Sequence, residues 1–169
     1  TNATERMTIA ADGKVGIGTT APNALFHVKG DNNGGNFLLL ESSESNAALD
    51  APDLVMMRAI NSPGADTQLG TIKWRGKNNA GTPEDITYAE IQAEVESGID
   101  GSENGRLKFG IIDDGTFTQV MTIDGQSHVG IGTTSPAKRL NGRNLTIDHG
   151  TQSSIELLVN DTSRGEIWA

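Results

Sequence analysis

The chain contains no cysteine, which removes disulfides, thiolate metal sites and thiol nucleophiles at once while leaving the compartment undetermined. Aromatic residues are scarce, at 4% of 169 positions, and comprise one tyrosine, two tryptophans and four phenylalanines. A carbohydrate cleft built on stacking platforms would call for more. No apolar run approaches the roughly 20 residues that cross a bilayer as a helix. Positive charge is also short. Lys and Arg number 13 against 22 Asp and Glu, and the formal net charge of -9 argues against binding nucleic acid or an anionic membrane surface, both polyanions. Leu, Ile, Val and Phe supply 37 residues, about 22%, just above the level below which chains stay disordered. Such a core is thin, and self-association is a natural way to recover the missing burial.

Glycine, by contrast, is plentiful at 21 residues, and some of it belongs to a phrase that occurs twice. Met7-Thr8-Ile9 followed by Val15-Gly16-Ile17-Gly18-Thr19-Thr20-Ala21-Pro22 returns as Met121-Thr122-Ile123 followed by Val129-Gly130-Ile131-Gly132-Thr133-Thr134-Ser135-Pro136, shifted by 114 residues with the internal gap kept. A unit this short cannot bury a core of its own, so a neighbouring unit or another copy of the chain must cover it. In Val-Gly-Ile-Gly the branched residues point to one face and the glycines to the other, where a second backbone can come close. Three chains wound about a common axis satisfy both faces. The expected inward layers are Met7, Ile9, Val15 and Ile17 in the first repeat, and Met121, Ile123, Val129 and Ile131 in the second.

Asp-Gly and Asn-Gly pairs at 12–13, 100–101, 104–105, 114–115 and 124–125 punctuate the chain, and they suit the positive φ angles of tight hairpin turns. Between them, Ile72 and Trp74 alternate with Lys73 and Arg75, Leu107, Phe109 and Ile111 with Lys108 and Gly110, and Met121 and Ile123 with Val120 and Thr122. This period of two predicts half-buried antiparallel strands and an all-β fold. Phe37-Leu38-Leu39-Leu40 and Leu54-Val55-Met56-Met57 read as strands covered on both faces. The stretch 86–95 fits either a strand or a helix face, and strand is preferred because its neighbours are strands. Four parts result: a shaft repeat at 1–29, a β-rich module at 30–118, a second repeat at 119–150, and the opening of a second module at 151–169. In the last part Gly165-Glu166-Ile167-Trp168 echoes Gly70-Thr71-Ile72-Lys73-Trp74, and Ser154 to Leu158 echoes Asn36 to Leu40. The chain is therefore expected to be a piece of a longer repeating protein.

The repeated Met-Thr-Ile and Val-Gly-Ile-Gly-Thr-Thr-x-Pro phrases, followed by Leu25-Phe26-His27-Val28, resemble the recurring segment of tailed-bacteriophage tail fibre and tail spike proteins. The module carrying Gly70 to Gly76, Tyr88-Ala89-Glu90-Ile91 and Gly105 to Phe109 is similar to the β-rich insert between such segments. The resemblance implies an elongated, intertwined homotrimeric fibre on a virion, outside the host cell. Its partners would be its own copies, other tail or virion proteins, and a host surface glycan or protein. The second copy departs from the pattern after Pro136, where residues 139–144 lengthen the link before Leu145-Thr146-Ile147.

Chemical motifs are weak. Gly16 to Ala21 loosely fits a dinucleotide fingerprint but lacks the following helix that holds a pyrophosphate. Asp31 to Gly35 and Asp113 to Gly115 lack the spaced ligand set of a calcium loop and read as solvated turns. His27, His128 and His149 are not spaced as a zinc helix, though a histidine near a threefold axis would meet its symmetry copies. Glu90 and Glu94 nominally supply a glycosidase pair, yet with Gln92 and Glu96 they alternate as the wet face of a strand. Trp74 and Trp168 occupy matching places and read as core residues of their modules. No catalytic residue, cofactor or metal ligand set is expected. An adhesin module and a polysaccharide depolymerase are the two competing readings.

Overall fold

The computed structural model describes residues 6–30, 37–41, 52–136 and 142–148, and the backbone of Ser154–Val159 and Thr162–Trp168. The described structure is all-β, and among the described residues there is no helix. The chain divides into two compact units, Thr1–Leu54 and Val55–Ala169.

In the first unit, β1 (Met7–Ile9), β2 (Val15–Ile17) and β3 (Phe26–Val28) form a three-stranded sheet in that order. β1 and β2 are antiparallel, joining Met7 to Ile17 and Ile9 to Val15, whereas β2 and β3 are parallel, joining Val15 to Phe26 and Ile17 to Val28. The Asp12-Gly13 turn closes the antiparallel pair, with Gly13 at φ 84°.

The second unit holds a six-stranded sheet in sequential order: β4 (Thr67–Lys77), β5 (Asp85–Ser97), β6 (Asn104–Asp113), β7 (Thr116–Ile123), β8 (Val129–Ile131) and β9 (Leu145–Ile147). Every neighbouring pair is antiparallel except β8 and β9, which are parallel. The stretch 86–95 is strand, within β5. Asp114-Gly115 forms the β6–β7 turn with both φ angles positive, at 45° and 80°, as that sequence pair favours. Asn104-Gly105 is instead inside β6, opposite Ser97 and Val95, so that pair makes no turn. A separate antiparallel hairpin joins β10 (Ser154–Val159) to β11 (Thr162–Trp168).

Two strand expectations fail. Phe37 to Leu40 and Leu54 to Met57 lie outside any strand, and their large side chains are exposed. A strand covered on both faces needs a layer above and below it, and the described residues supply neither. The second of these runs follows the β4 edge: Arg58 donates to the Gln68 carbonyl at 2.7 Å, and Met56 packs on Gly70.

β7, β8 and β9 repeat β1, β2 and β3. Met121 pairs with Ile131 and Ile123 with Val129, and Val129 and Ile131 pair with Leu145 and Ile147, the same register as in the first unit. The turn bonds recur as well. The Gly18 amide donates to the Arg6 carbonyl and the Gly132 amide to the Val120 carbonyl, both at 2.9 Å. The longer link before β9 is absorbed outside the strands and leaves the pairing unchanged.

Candidate functional site

Partners in a ladder share a face, so the register lays out the two surfaces of the six-stranded sheet. One row runs Ile72, Ile91, Phe109, Met121, Ile131 and Ile147 across all six strands. The next runs Gly70, Ala93, Leu107, Ile123, Val129 and Leu145, and a shorter one runs Trp74, Ala89 and Ile111. The result is one continuous apolar face. The smaller sheet has the same design, with Met7, Ile17 and Val28 in one row and Ile9, Val15 and Phe26 in the other.

Among the described residues these faces are largely uncovered, with Met56 over Gly70 as a local exception. Val95, at 9% exposure, is the one buried hydrophobic side chain among the described residues, while twenty-two large apolar side chains are exposed. Trp74 is 51% exposed and Ile131 is 43% exposed. Exposed apolar area on this scale marks an interaction surface. The eight residues expected to form inward layers fall into two groups of four, one on each sheet's apolar face. None of the eight is buried within its own chain: Met7, Ile9 and Ile131 are exposed, and Val15, Ile17, Met121, Ile123 and Val129 are half-buried. The repeats alone did not reveal that β4 to β6 extend the second group with Ile72, Ile91 and Phe109. That continuity rests on long-range register, although the alternation around each of the three residues was visible.

The other face of each repeat is already satisfied. A Cβ at Gly16 would overlap the Thr19 carbonyl, and one at Gly130 would meet the Thr133 carbonyl and the Pro136 ring. The backbone that approaches the glycines is thus the chain's own Thr-Thr-x-Pro turn, not a second copy. Thr122 is fully buried beneath this turn and donates to the Thr133 carbonyl at 3.2 Å.

Over the rest of the polar face, charged side chains bury one another. Glu94, at 2% exposure, accepts from Arg106 at 2.8 Å, Lys108 at 2.7 Å and Gln92 at 3.1 Å. Arg106 also pairs with Glu96 at 3.3 Å and Asp66 at 3.0 Å. The long stems of Arg106 and Lys108 supply the cover that a second layer would otherwise provide. Both cations sit on its carboxylate, so Glu94 is engaged as the shared ion-pair partner of Arg106 and Lys108.

His128 is buried at the mouth of the second repeat. Its Nδ1 lies 2.9 Å from Asp124 Oδ2 and its Nε2 lies 3.2 Å from the Gly142 carbonyl, tying the β8–β9 link to the β7–β8 turn. Burial pushes the Asp124 carboxyl up, but hydrogen bonds from the His128 ring and from the His128 and Gln126 amides outweigh it and hold the group below its ordinary value. The first repeat has Ala10 and Lys14 at these places and uses an exposed Lys14–Asp12 pair at 2.7 Å instead. His27 accepts from the Asn23 amide at 3.4 Å, and His149 falls outside the described residues. Among the described residues no group of His, Asp and Glu is placed to hold a metal ion. Asp31 to Gly35 and the Trp168 side chain also fall outside the described structure.

No protein-family model matches the chain, and no curated protein matches it.

Proposed function

We propose that this chain is a structural segment of a homotrimeric fibre, of the kind formed by tail fibres and tail spikes of tailed bacteriophages. In this reading it projects from a virion and carries a more distal tip towards the host surface. The observation that carries the proposal is the uncovered apolar face. A six-stranded sheet with one buried hydrophobic side chain lacks the burial that holds a domain together, and identical copies supply it most simply by bringing the same face to a common axis. The register places Met121, Ile123, Val129 and Ile131 on that face, and Met7, Ile9, Val15 and Ile17 on its counterpart. The ion-pair network then faces solvent, where it keeps the fibre wet and discourages lateral aggregation.

The absence of native cysteine provides a clean test, since any disulfide must come from an introduced thiol. In the whole chain, Val129→Cys is expected to give a disulfide-linked pair of chains on mild oxidation, because symmetry copies of an axial residue lie side by side. Lys73→Cys, on the opposite face, is expected to give none. Efficient linkage from Lys73→Cys with none from Val129→Cys would reverse the proposed arrangement.

A further inference from the structure

The polar face of the six-stranded sheet contains a pocket of about 260 Å³ across β5, β6 and β7, lined by Glu90, Gln92, Lys108, Gly110, Phe117 and Gln119. Its wall depends on a glycine. A Cβ at Gly110 would overlap the Phe117 ring, so the ring rests directly on the Gly110 backbone, and Phe117 remains 42% exposed. We propose that this pocket binds a primary ammonium group carried on a compact organic body.

The unused acceptors in the lining suit that chemistry. Gln92 donates its Nε2 to Glu94, whose carboxylate can only accept, and this fixes the orientation of the amide. Gln119 donates its Nε2 to Thr122 Oγ1, whose own hydrogen goes to the Thr133 carbonyl, so its orientation is fixed as well. Both amides therefore keep their Oε1 as an unused acceptor. Glu90 adds a carboxylate whose one ion pair is a loose 3.8 Å contact with the exposed Lys73. Lys108, also in the lining, has its Nζ held 2.7 Å from Glu94, a carboxylate it shares with Arg106. Three acceptors beside an open aromatic face fit a ligand that only donates and carries positive charge. An ammonium has three N–H groups and no acceptor, and it is attracted to an aromatic face. The volume suits a group the size of a lysine side chain or an amino sugar. The pocket is complete within one chain and lies on the face opposite the apolar rows, so the inference does not depend on how copies assemble.

The test is titration of the whole 169-residue chain, followed by calorimetry and by chemical shifts of the Gly110 amide. The probes are Nα-acetyl-lysine methylamide and glucosamine, each against its neutral counterpart, Nα-acetyl-norleucine methylamide and N-acetylglucosamine. At least one ammonium probe is expected to bind, and which of the two binds identifies the source as a protein side chain or an amino sugar. Glu90→Gln is expected to weaken binding about tenfold, as is Phe117→Leu, which removes the aromatic face at an exposed position. Gly110→Ala, which pushes the ring aside without changing charge, serves as a second route to the same loss. Circular dichroism verifies that each variant is folded. Binding by neither ammonium probe, equal binding of the neutral counterparts, or unchanged binding by folded Phe117→Leu would overturn the proposal.

Discussion

Replacing Ile131 with aspartate places a charge at the centre of the proposed contact. Ile131 is flanked along its row by Met121 and Ile147, and it keeps 43% of its surface in a single chain. Covering that remainder contributes about 1 kcal/mol per copy, taking roughly 3 kcal/mol for a fully buried isoleucine. A carboxylate there has no cation in its row and must lose water without a partner, a cost of about 3 kcal/mol per copy on protein scales. Three copies meeting in one layer thus lose about 12 kcal/mol of association, roughly eight to nine powers of ten in the equilibrium constant. Sedimentation velocity on the whole chain is expected to show Ile131→Asp as single chains at concentrations where the parent is assembled. Lys73→Asp, which introduces the same charge on the opposite face at an exposed position, is expected to stay assembled. Assembly of Ile131→Asp at parental concentrations, or dissociation of both variants alike, would refute the assignment of this face as the contact.

Gly132 sits at φ 73°, and a Cβ there would overlap the Asp148 carbonyl, so Gly132→Ala is expected to cost about 3 kcal/mol in denaturant unfolding. Gly81→Ala, with open space around it, is expected to be neutral or to stabilise by up to about 1 kcal/mol in the same assay. Glu94→Ala leaves Arg106 and Lys108 facing each other without their shared carboxylate, and urea unfolding is expected to register a loss of about 3 kcal/mol. The Asp124 carboxyl is held below its ordinary value in the folded state, so its contribution is fully present above the unfolded value of about 3.9 and is lost as pH falls through the lowered one. Melting temperature is therefore expected to drop on acidification below about pH 4. Asp124→Asn should flatten that drop, and an unchanged acid limb in the variant would contradict the assignment.

Local alternation made much of the fold legible. Leu107, Phe109 and Ile111 against Lys108 and Gly110 announced β6, and the doubled phrase announced that β1 to β3 and β7 to β9 are one unit used twice. Pairing across distance was not legible. That β3 and β9 return parallel to β2 and β8 follows from backbone bonds such as Val15 to the Leu25 carbonyl and Val129 to the Asn144 carbonyl, which no side-chain period encodes. The glycines misled in one respect: their bare face does admit another backbone, but it belongs to the chain's own turn at Thr19 and Thr133. The apolar runs at 37–40 and 54–57 misled for a related reason. Hydrophobicity announces a need for cover without saying which molecule provides it, and within one chain both runs stay outside the sheets. Glu94 was read as part of a wet strand face. Its burial depends on Arg106 and Lys108 from the neighbouring strand, a pairing fixed only by register.

The most direct test of the central claim is sedimentation equilibrium of the whole chain across a wide concentration range. A homotrimer is expected to sediment as a single species at three times the 17.8 kDa chain mass, persisting on dilution. A folded monomer of 17.8 kDa at every concentration, with its apolar face uncovered, would contradict it.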